Sequence, residues 1–422
     1  MIKKRKKSEE KKDEVFKQKK CRACKSENLF TFLQLGPTPA PNGFLTSKDL
    51  DKAEKFYPLD VCFCKDCGLV QLAHVVSPEV MFRNYVYIPS TSQTMRDHFL
   101  MMAKDSIKKS QALKKDLVVD IGSNDGTLLK SFQKMGLKIL GVDPAKNLVK
   151  QANRENVETI CALFSQKIAK KIKSKYGQAK IITATNVVAH VHDLDDFLEG
   201  VSTLLSDDGL FIPEFPYLVD LLEKVEFDTI YQEHLSYISI TPFKKLLDRH
   251  NLRLIDAKRD PVHGGSIRLY ISKNNRKVSK IVNQLIDLEN KKGLLLEETY
   301  LKFRRKVDGI RHELVQLLWK LKLENKRIVG YGASAKGNIM LNYCRIGVET
   351  LDYVVDSIPY KHGKYTPGMH IPIYPESKLL EDQPDFVLIL AWNFAEEIIK
   401  KQDLYKKRGG NFIVSVPEVK II

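Results

Sequence analysis

The chain has 422 residues, 43% of them hydrophobic and 9% aromatic, and a formal net charge of +17. That length holds two or three domains, and the composition is that of a globular protein rather than a disordered or fibrous one. No apolar run approaches the roughly 20 residues that span a bilayer, and the lysine-rich N-terminus lacks the apolar core of a secretory leader. A cytoplasmic protein with no membrane partner is expected. Much of the positive charge lies in residues 3–20, where hardly any apolar residue interrupts it, so residues 1–20 are expected to form a disordered basic tail. The remaining excess suits a solvated face or an anionic small substrate as well as it suits nucleic acid, and no nucleic-acid partner is expected.

Seven cysteines, an odd number, do not suggest disulfides in such a chain. Cys21 and Cys24 form one Cys-x-x-Cys knuckle and Cys64 and Cys67 another, together the four soft ligands of a tetrahedral zinc. Four thiolates leave no open position, so the metal is structural. Cys62 would lie near the metal but outside a filled site. Cys161 and Cys344 read as buried small apolar residues. The segment between the knuckles is longer than that of a minimal ribbon and carries its own turns, among them Pro41-Asn42-Gly43. A polar, aromatic linker follows, with Tyr85 and Tyr87 ahead of Ser90, Thr91 and Ser92. It reads equally as an ordinary connection and as a lid over a pocket.

Leu117–Leu129, L-V-V-D-I-G-S-N-D-G-T-L-L, is a strand, a glycine turn and a helix start, the opening of a nucleotide-binding α/β unit. A second apolar run ends in Asp143, about 20 residues on, where such folds place an acid on a ribose. The glycine spacing is G-x-x-x-G, and the turn carries Asp120 and Asp125. Carboxylates repel a pyrophosphate but attract the sulfonium and amino groups of S-adenosylmethionine, which makes that the expected cofactor. Asp120, Gly122, Asn124, Asp125, Gly126 and Asp143 are its candidate ligands. Strands at Val157–Phe164 and Ala179–Val188 continue the unit. The carboxyl end of the latter brings Asn186 and His190 toward the cofactor.

A fifth strand is expected within Leu204–Pro213. Beyond it, Tyr231, Glu233 and His234 place a phenol, a carboxylate and an imidazole within four residues. Those types suit acid–base work, although many surface loops share the composition. Pro261–Arg268 is a glycine turn between strands at Leu252–Ala257 and Ile267–Ile271. Its amides and Arg268 can meet an anion, and a tight hairpin is the simpler account. Val278–Asn325 predicts one or two amphipathic helices. A second glycine turn then joins strand to helix at Arg327–Asn338, with Gly332 and Lys336 near the helix start, where phosphate is favoured.

Taken together, the paired knuckles, N-Y-V-Y-I-P-S-T-S, D-I-G-S-N-D-G-T-L, A-T-N-V-V-A-H, D-T-I-Y-Q-E-H, P-V-H-G-G, G-Y-G-A-S-A-K-G and T-P-G-M-H-I-P-I resemble the sugar C-methyltransferases. The resemblance covers the chain from Cys21 onward. It implies an α/β protein with a small N-terminal zinc-binding domain (21–92), a central class I methyltransferase domain (93–275) and a C-terminal second Rossmann-like domain (276–422). It implies methyl transfer from S-adenosylmethionine to carbon 3 of a nucleotide-linked 4-keto-6-deoxy sugar, the partner bound between the last two domains. Carried over by position, the family's active-site residues fall on Tyr85, His190, Tyr231, Glu233 and His234. His234 is expected as base and Tyr231 near the keto oxygen. Tyr87, His263, Gly264, Arg268, Gly332 and Lys336 are expected to bind substrate. A monomer or weak homo-oligomer is expected. An O- or N-methyltransferase on another small molecule and a zinc-containing nucleic-acid methyltransferase remain as alternatives. An NAD oxidoreductase in the C-terminal unit lacks the full G-x-G-x-x-G.

Overall fold

An apolar run such as Leu117–Ile121 can bury both faces only within a helix-covered parallel sheet, and all five of its residues are buried. The computed structural model describes residues 14–77, 81, 90, 92–274 and 276–422, with the side chain of His263 outside the description.

The N-terminal region carries β1 (Val15–Lys17), β2 (Leu29–Gln34), β3 (Asp60–Cys64), β4 (Val70–Leu72) and β5 (His74–Val76). Strands β2, β3 and β4 form an antiparallel meander, and β1 pairs with β5. The expected tail is therefore ordered earlier than residue 20. Val15 packs on the buried cluster of Tyr57, Val76 and Met81, an apolar foothold within the charged run.

The central domain contributes β6 (Leu117–Ile121), β7 (Lys138–Asp143), β8 (Thr159–Cys161), β9 (Ala179–Thr185) and β10 (Leu205–Pro216). It continues with β11 (Ser236–Tyr237), β12 (Arg253–Asp260) and β13 (Ser266–Ser272). Seven of these form one sheet, ordered β12-β13-β10-β9-β6-β7-β8, in which β13 runs antiparallel to both its neighbours. Strand β11 instead adds to β4 in the N-terminal sheet. Strand β8 is shorter than its apolar run suggests. It lies at the sheet edge, where Cys161 is exposed rather than buried; Cys344 is buried as expected.

Helices at Lys280–Lys291 and Glu297–Leu323 divide the long amphipathic segment in two. The last domain holds β14 (Ile328–Tyr331), β15 (Val354–Asp356), β16 (Ile373–Pro375), β17 (Phe386–Ile389), β18 (Asn411–Val414) and β19 (Lys420–Ile421). Their order is β16-β15-β14-β17-β18-β19, parallel except for the last strand. Among the described residues no helix is long and apolar enough to cross a membrane.

Candidate active site and metal centre

The two knuckles close on one another. Cys21 Sγ lies 3.5 Å from Cys67 Sγ, Cys24 Sγ lies 3.5 Å from Cys64 Sγ, and all four sulfurs fall within 4.8 Å of each other. Zinc–sulfur bonds of about 2.3 Å in a tetrahedron separate sulfurs by roughly 3.8 Å, so the quartet fits that metal. Cys62 stands apart, its thiol directed at the Gln71 carbonyl.

The glycine turn after β6 opens a cavity of about 400 Å³ at the carboxyl edge of the central sheet. Gly122 has φ +70°, and a Cβ there would meet Val187 Cγ2 at 2.3 Å, so the turn admits no side chain. The Asp143 carboxylate accepts the Asn124 N–H at 3.0 Å and the Ala145 N–H at 2.8 Å. Burial raises its pKa and these two bonds oppose the rise. Asp120 is buried at the base of the cavity and accepts the Thr183 hydroxyl at 2.6 Å. Burial pushes its carboxyl up to about 7. Asp125 lines the cavity and also serves the helix. It accepts the Thr127 N–H and hydroxyl at the start of the following helix, with Gly126 at the cap position itself. Asn186, held at φ +56° by its N–H to the Glu214 carbonyl, leaves Oδ1 buried without a hydrogen-bond partner among the described residues. A small-side-chain cradle, a preset carboxylate and an orphaned amide oxygen fit an adenosyl ligand with a cationic end.

His190 lines the same cavity, and its ring meets that of His234 edge to face, centroids 4.9 Å apart. Burial lowers the His190 pKa to about 4, which keeps it neutral. Tyr231 lies against His234 with centroids at 4.0 Å. His234 Nδ1 is 2.7 Å from the Thr229 carbonyl, which can only accept, so Nδ1 carries a proton and in the neutral ring the lone pair is on Nε2. Glu233, 3% exposed, accepts the Asn42 amide at 2.8 Å, and burial raises its carboxyl to about 7. The structure thus gathers His190, Tyr231 and His234 into one cluster continuous with the cavity, while Glu233, next to His234 in the chain, gives its carboxyl to Asn42. Tyr85 and Tyr87 lie outside the described residues.

The expected substrate residues divide. Arg268, 1% exposed, is bonded to Glu214 through Nε at 2.8 Å and Nη2 at 2.7 Å. Glu214 also meets His98 at 2.6 Å. Arg268 therefore belongs to an internal ion-pair network and not to a ligand-facing surface, as follows from its place on the buried antiparallel strand β13. His263 carries no described side chain. Gly264 packs against Glu226, whose carboxyl is raised to about 7 by burial and drawn back by Lys336 and Lys224. Gly332 follows β14 with φ +92°, and Ser334 caps the next helix by accepting the Gly337 N–H. Lys336 Nζ is buried over the Trp392 ring at 4.8 Å, without a hydrogen-bond partner among the described residues. Trp392 Nε1–H in turn donates to Asp228 at 2.6 Å. Trp392 and Asn42 carry no motif, and Asp228 opens the D-T-I-Y-Q-E-H run without marking itself as the partner of Trp392; only the contacts reveal these pairings. Asp356, where a dinucleotide fold keeps its ribose acid, is bonded to Lys361 at 2.9 Å and to the Ile358 N–H.

Such a sheet order with such a cavity defines a class I S-adenosylmethionine-dependent methyltransferase, here with a tetra-cysteine zinc centre. Three family models match in succession: a zinc binding domain at 21–82, a methyltransferase domain at 97–257 and a C-methyltransferase C-terminal domain at 261–417. The chain is 35% identical to the C-methyltransferase NovU of Streptomyces niveus over 404 residues, 95% of this chain and 96% of that one. It belongs to the C-methyltransferase family. A ubiquinone biosynthesis O-methyltransferase of Bartonella bacilliformis is 24% identical over 155 residues, 33% of this chain and 60% of that one. Among solved structures, the magnesium protoporphyrin IX methyltransferase of Synechocystis PCC 6803 matches 44% of this chain and 89% of its own at 12% identity, TM-score 0.34. The plantazolicin methyltransferase BpumL matches 43% of this chain and 87% of its own at 15% identity, TM-score 0.35.

Proposed function

We propose that this C-methyltransferase methylates carbon 3 of a nucleotide-linked 4-keto-6-deoxy sugar, with His234 as the base. The observation that carries the reading is the His234 tautomer. Its Nδ1–H is committed to the Thr229 carbonyl, so the basic nitrogen is Nε2, in a ring that touches the cofactor-lining His190. A proton alpha to a ketone leaves only when a base takes it and a donor stabilises the resulting enolate oxygen.

Gly122, Asn124, Asp143 and Asn186 would hold S-adenosylmethionine, which when bound would supply an electrophilic methyl group on a positively charged sulfur. His234 Nε2 takes the carbon-3 proton, and the electron pair of that C–H bond moves toward the keto oxygen. The Tyr231 hydroxyl donates to that oxygen. Neutral His190 and Glu233 hold the imidazole and the sugar in place. Lys336, Gly332 and Gly264 meet the nucleotide diphosphate. The organisation into domains 21–92, 93–275 and 276–422 accompanies this proposal, and the thiolate metal site suits a reducing, cytoplasmic compartment.

The test is incubation with S-adenosylmethionine and a panel of nucleotide-linked 4-keto-6-deoxy sugars in heavy water, read by mass and NMR. Methyl on carbon 3, or solvent deuterium there in the absence of S-adenosylmethionine, supports the proposal. Methyl on oxygen or nitrogen moves the acceptor elsewhere. Near-normal turnover by a folded His234→Ala variant removes the base assignment.

A further inference from the structure

The Pro41-Asn42-Gly43 turn reads in the sequence as punctuation inside the zinc-binding region. In the fold it is wedged between the other two domains. Asn42 Nδ2 donates to Glu233 Oε1 across 191 positions of sequence. The Pro41 carbonyl accepts the Asn338 amide at 2.7 Å, from the helix that begins at the second glycine turn. Close by, Gln232 Nε2 donates to the Thr38 hydroxyl at 2.7 Å. The turn itself hangs from the metal-bearing sheet through Leu35 N–H to Leu59 O and the Thr38–Tyr57 bridge. A Pro-Asn-Gly turn at a surface needs none of these bonds.

We infer that the zinc-binding domain is a working part of the active site, and that Asn42 is the positioning residue through which it acts on Glu233. This rests on the assignment of Glu233 to the proton-transfer cluster. The chemistry is specific. An amide N–H on Oε1 leaves Oε2 to carry the carboxyl proton when one is present, so Asn42 fixes which oxygen is acid and which is acceptor. Burial raises the pKa of this carboxyl, and the Asn42 amide draws it back. Its titratable neighbours along the chain are Tyr231 and His234, and His234 in turn meets His190. Loss of the amide donor moves the pH-rate limb of Glu233 upward, whichever form of the carboxyl is the active one.

The experiment compares zinc-loaded wild type, Asn42→Ala, Glu233→Gln and the double variant, with Asn42→Asp as an isosteric check. Zinc content and melting temperature are measured on each. Asn42→Ala is expected to lower kcat about tenfold with the KM for S-adenosylmethionine unchanged, and to raise the pH limb. Asn42→Asp, which adds a like charge, moves that limb further up. The double variant is expected to be no slower than Glu233→Gln, because Asn42 acts through that carboxyl. Full multiplication of the two losses, or a wild-type rate and profile in Asn42→Ala beside an impaired Glu233→Gln, overturns this inference alone. A wild-type rate in Glu233→Gln overturns the role of Glu233 and the inference with it.

Discussion

The molecule builds the same strand–glycine turn–helix device twice and charges it oppositely. After β6, the neighbouring strand ends in Asp143, whose two oxygens each accept a backbone N–H beside an open cavity. After β14, the neighbouring strand ends in Asp356, whose carboxylate is consumed by the buried ammonium of Lys361. The first turn presents acids and an amide oxygen; the second presents Lys336. A helix start favours anions wherever it occurs, so the side chains decide what each turn accepts. The first suits a cationic adenosyl ligand, and the second is the one we propose for an anion.

The sharpest way to break this contrast is to free Asp356. Lys361→Ala leaves a carboxylate buried without its counter-charge, and is expected to cost about 3–5 kcal/mol of stability by denaturant unfolding. The double variant Lys361→Met, Asp356→Leu should recover most of it. A single variant of wild-type stability would mean that Asp356 is available to a ligand after all. Next in size is a pH effect at the first turn. Asp120 has a folded-state pKa of about 7, above its value near 3.9 in the unfolded chain. Between those values the folded state binds more protons, so this group's contribution is greatest at low pH and fades as pH rises from about 4 to 7, by a few kcal/mol at most. Asp120→Asn should flatten the slope of melting temperature against pH across that window. An unchanged slope removes the assigned shift.

Asp143→Asn follows. Hydrogen bonds to charged groups contribute about 1.5–3 kcal/mol, so the dissociation constant of S-adenosylmethionine should rise roughly tenfold to a hundredfold by calorimetry, with sugar-nucleotide affinity unchanged. Equal weakening of both ligands would collapse the two turns into one site.

Local patterns carried most of what the sequence could tell. Both glycine turns, the paired cysteines and the Tyr231–His234 cluster are contiguous, and each type at its spacing has a chemical reason to be there. Contacts spanning long stretches of chain were illegible. Nothing about Asn42 points to Glu233, nor about Trp392 to Asp228, because the pairing is made by domain packing. Arg268 misleads for the same reason: beside a glycine turn it looks like an anion binder, but strand β13 buries it against Glu214. Cys161 misleads through its strand, an edge whose outer side is uncovered.

The smallest expected effect tests the second turn directly. Lys336 stands over Trp392 and lowers the carboxyl pKa values of both Glu226 and Asp228. Two roles fit such a lysine, a phosphate contact and a counter-charge for two buried acids, and they separate in one variant. If it meets phosphate, Lys336→Ala raises the sugar-nucleotide KM about tenfold, roughly 1.4 kcal/mol, and weakens the dependence of KM on salt, because a charge–charge contact is what salt screens. Affinity for S-adenosylmethionine stays as it was. If it serves only as a counter-charge, KM and its salt dependence are unchanged, and the loss appears instead as a stability that falls more steeply as pH rises through 7, where Glu226 must ionise without compensation. The second outcome would leave the two turns alike in form and only the first of them a ligand site.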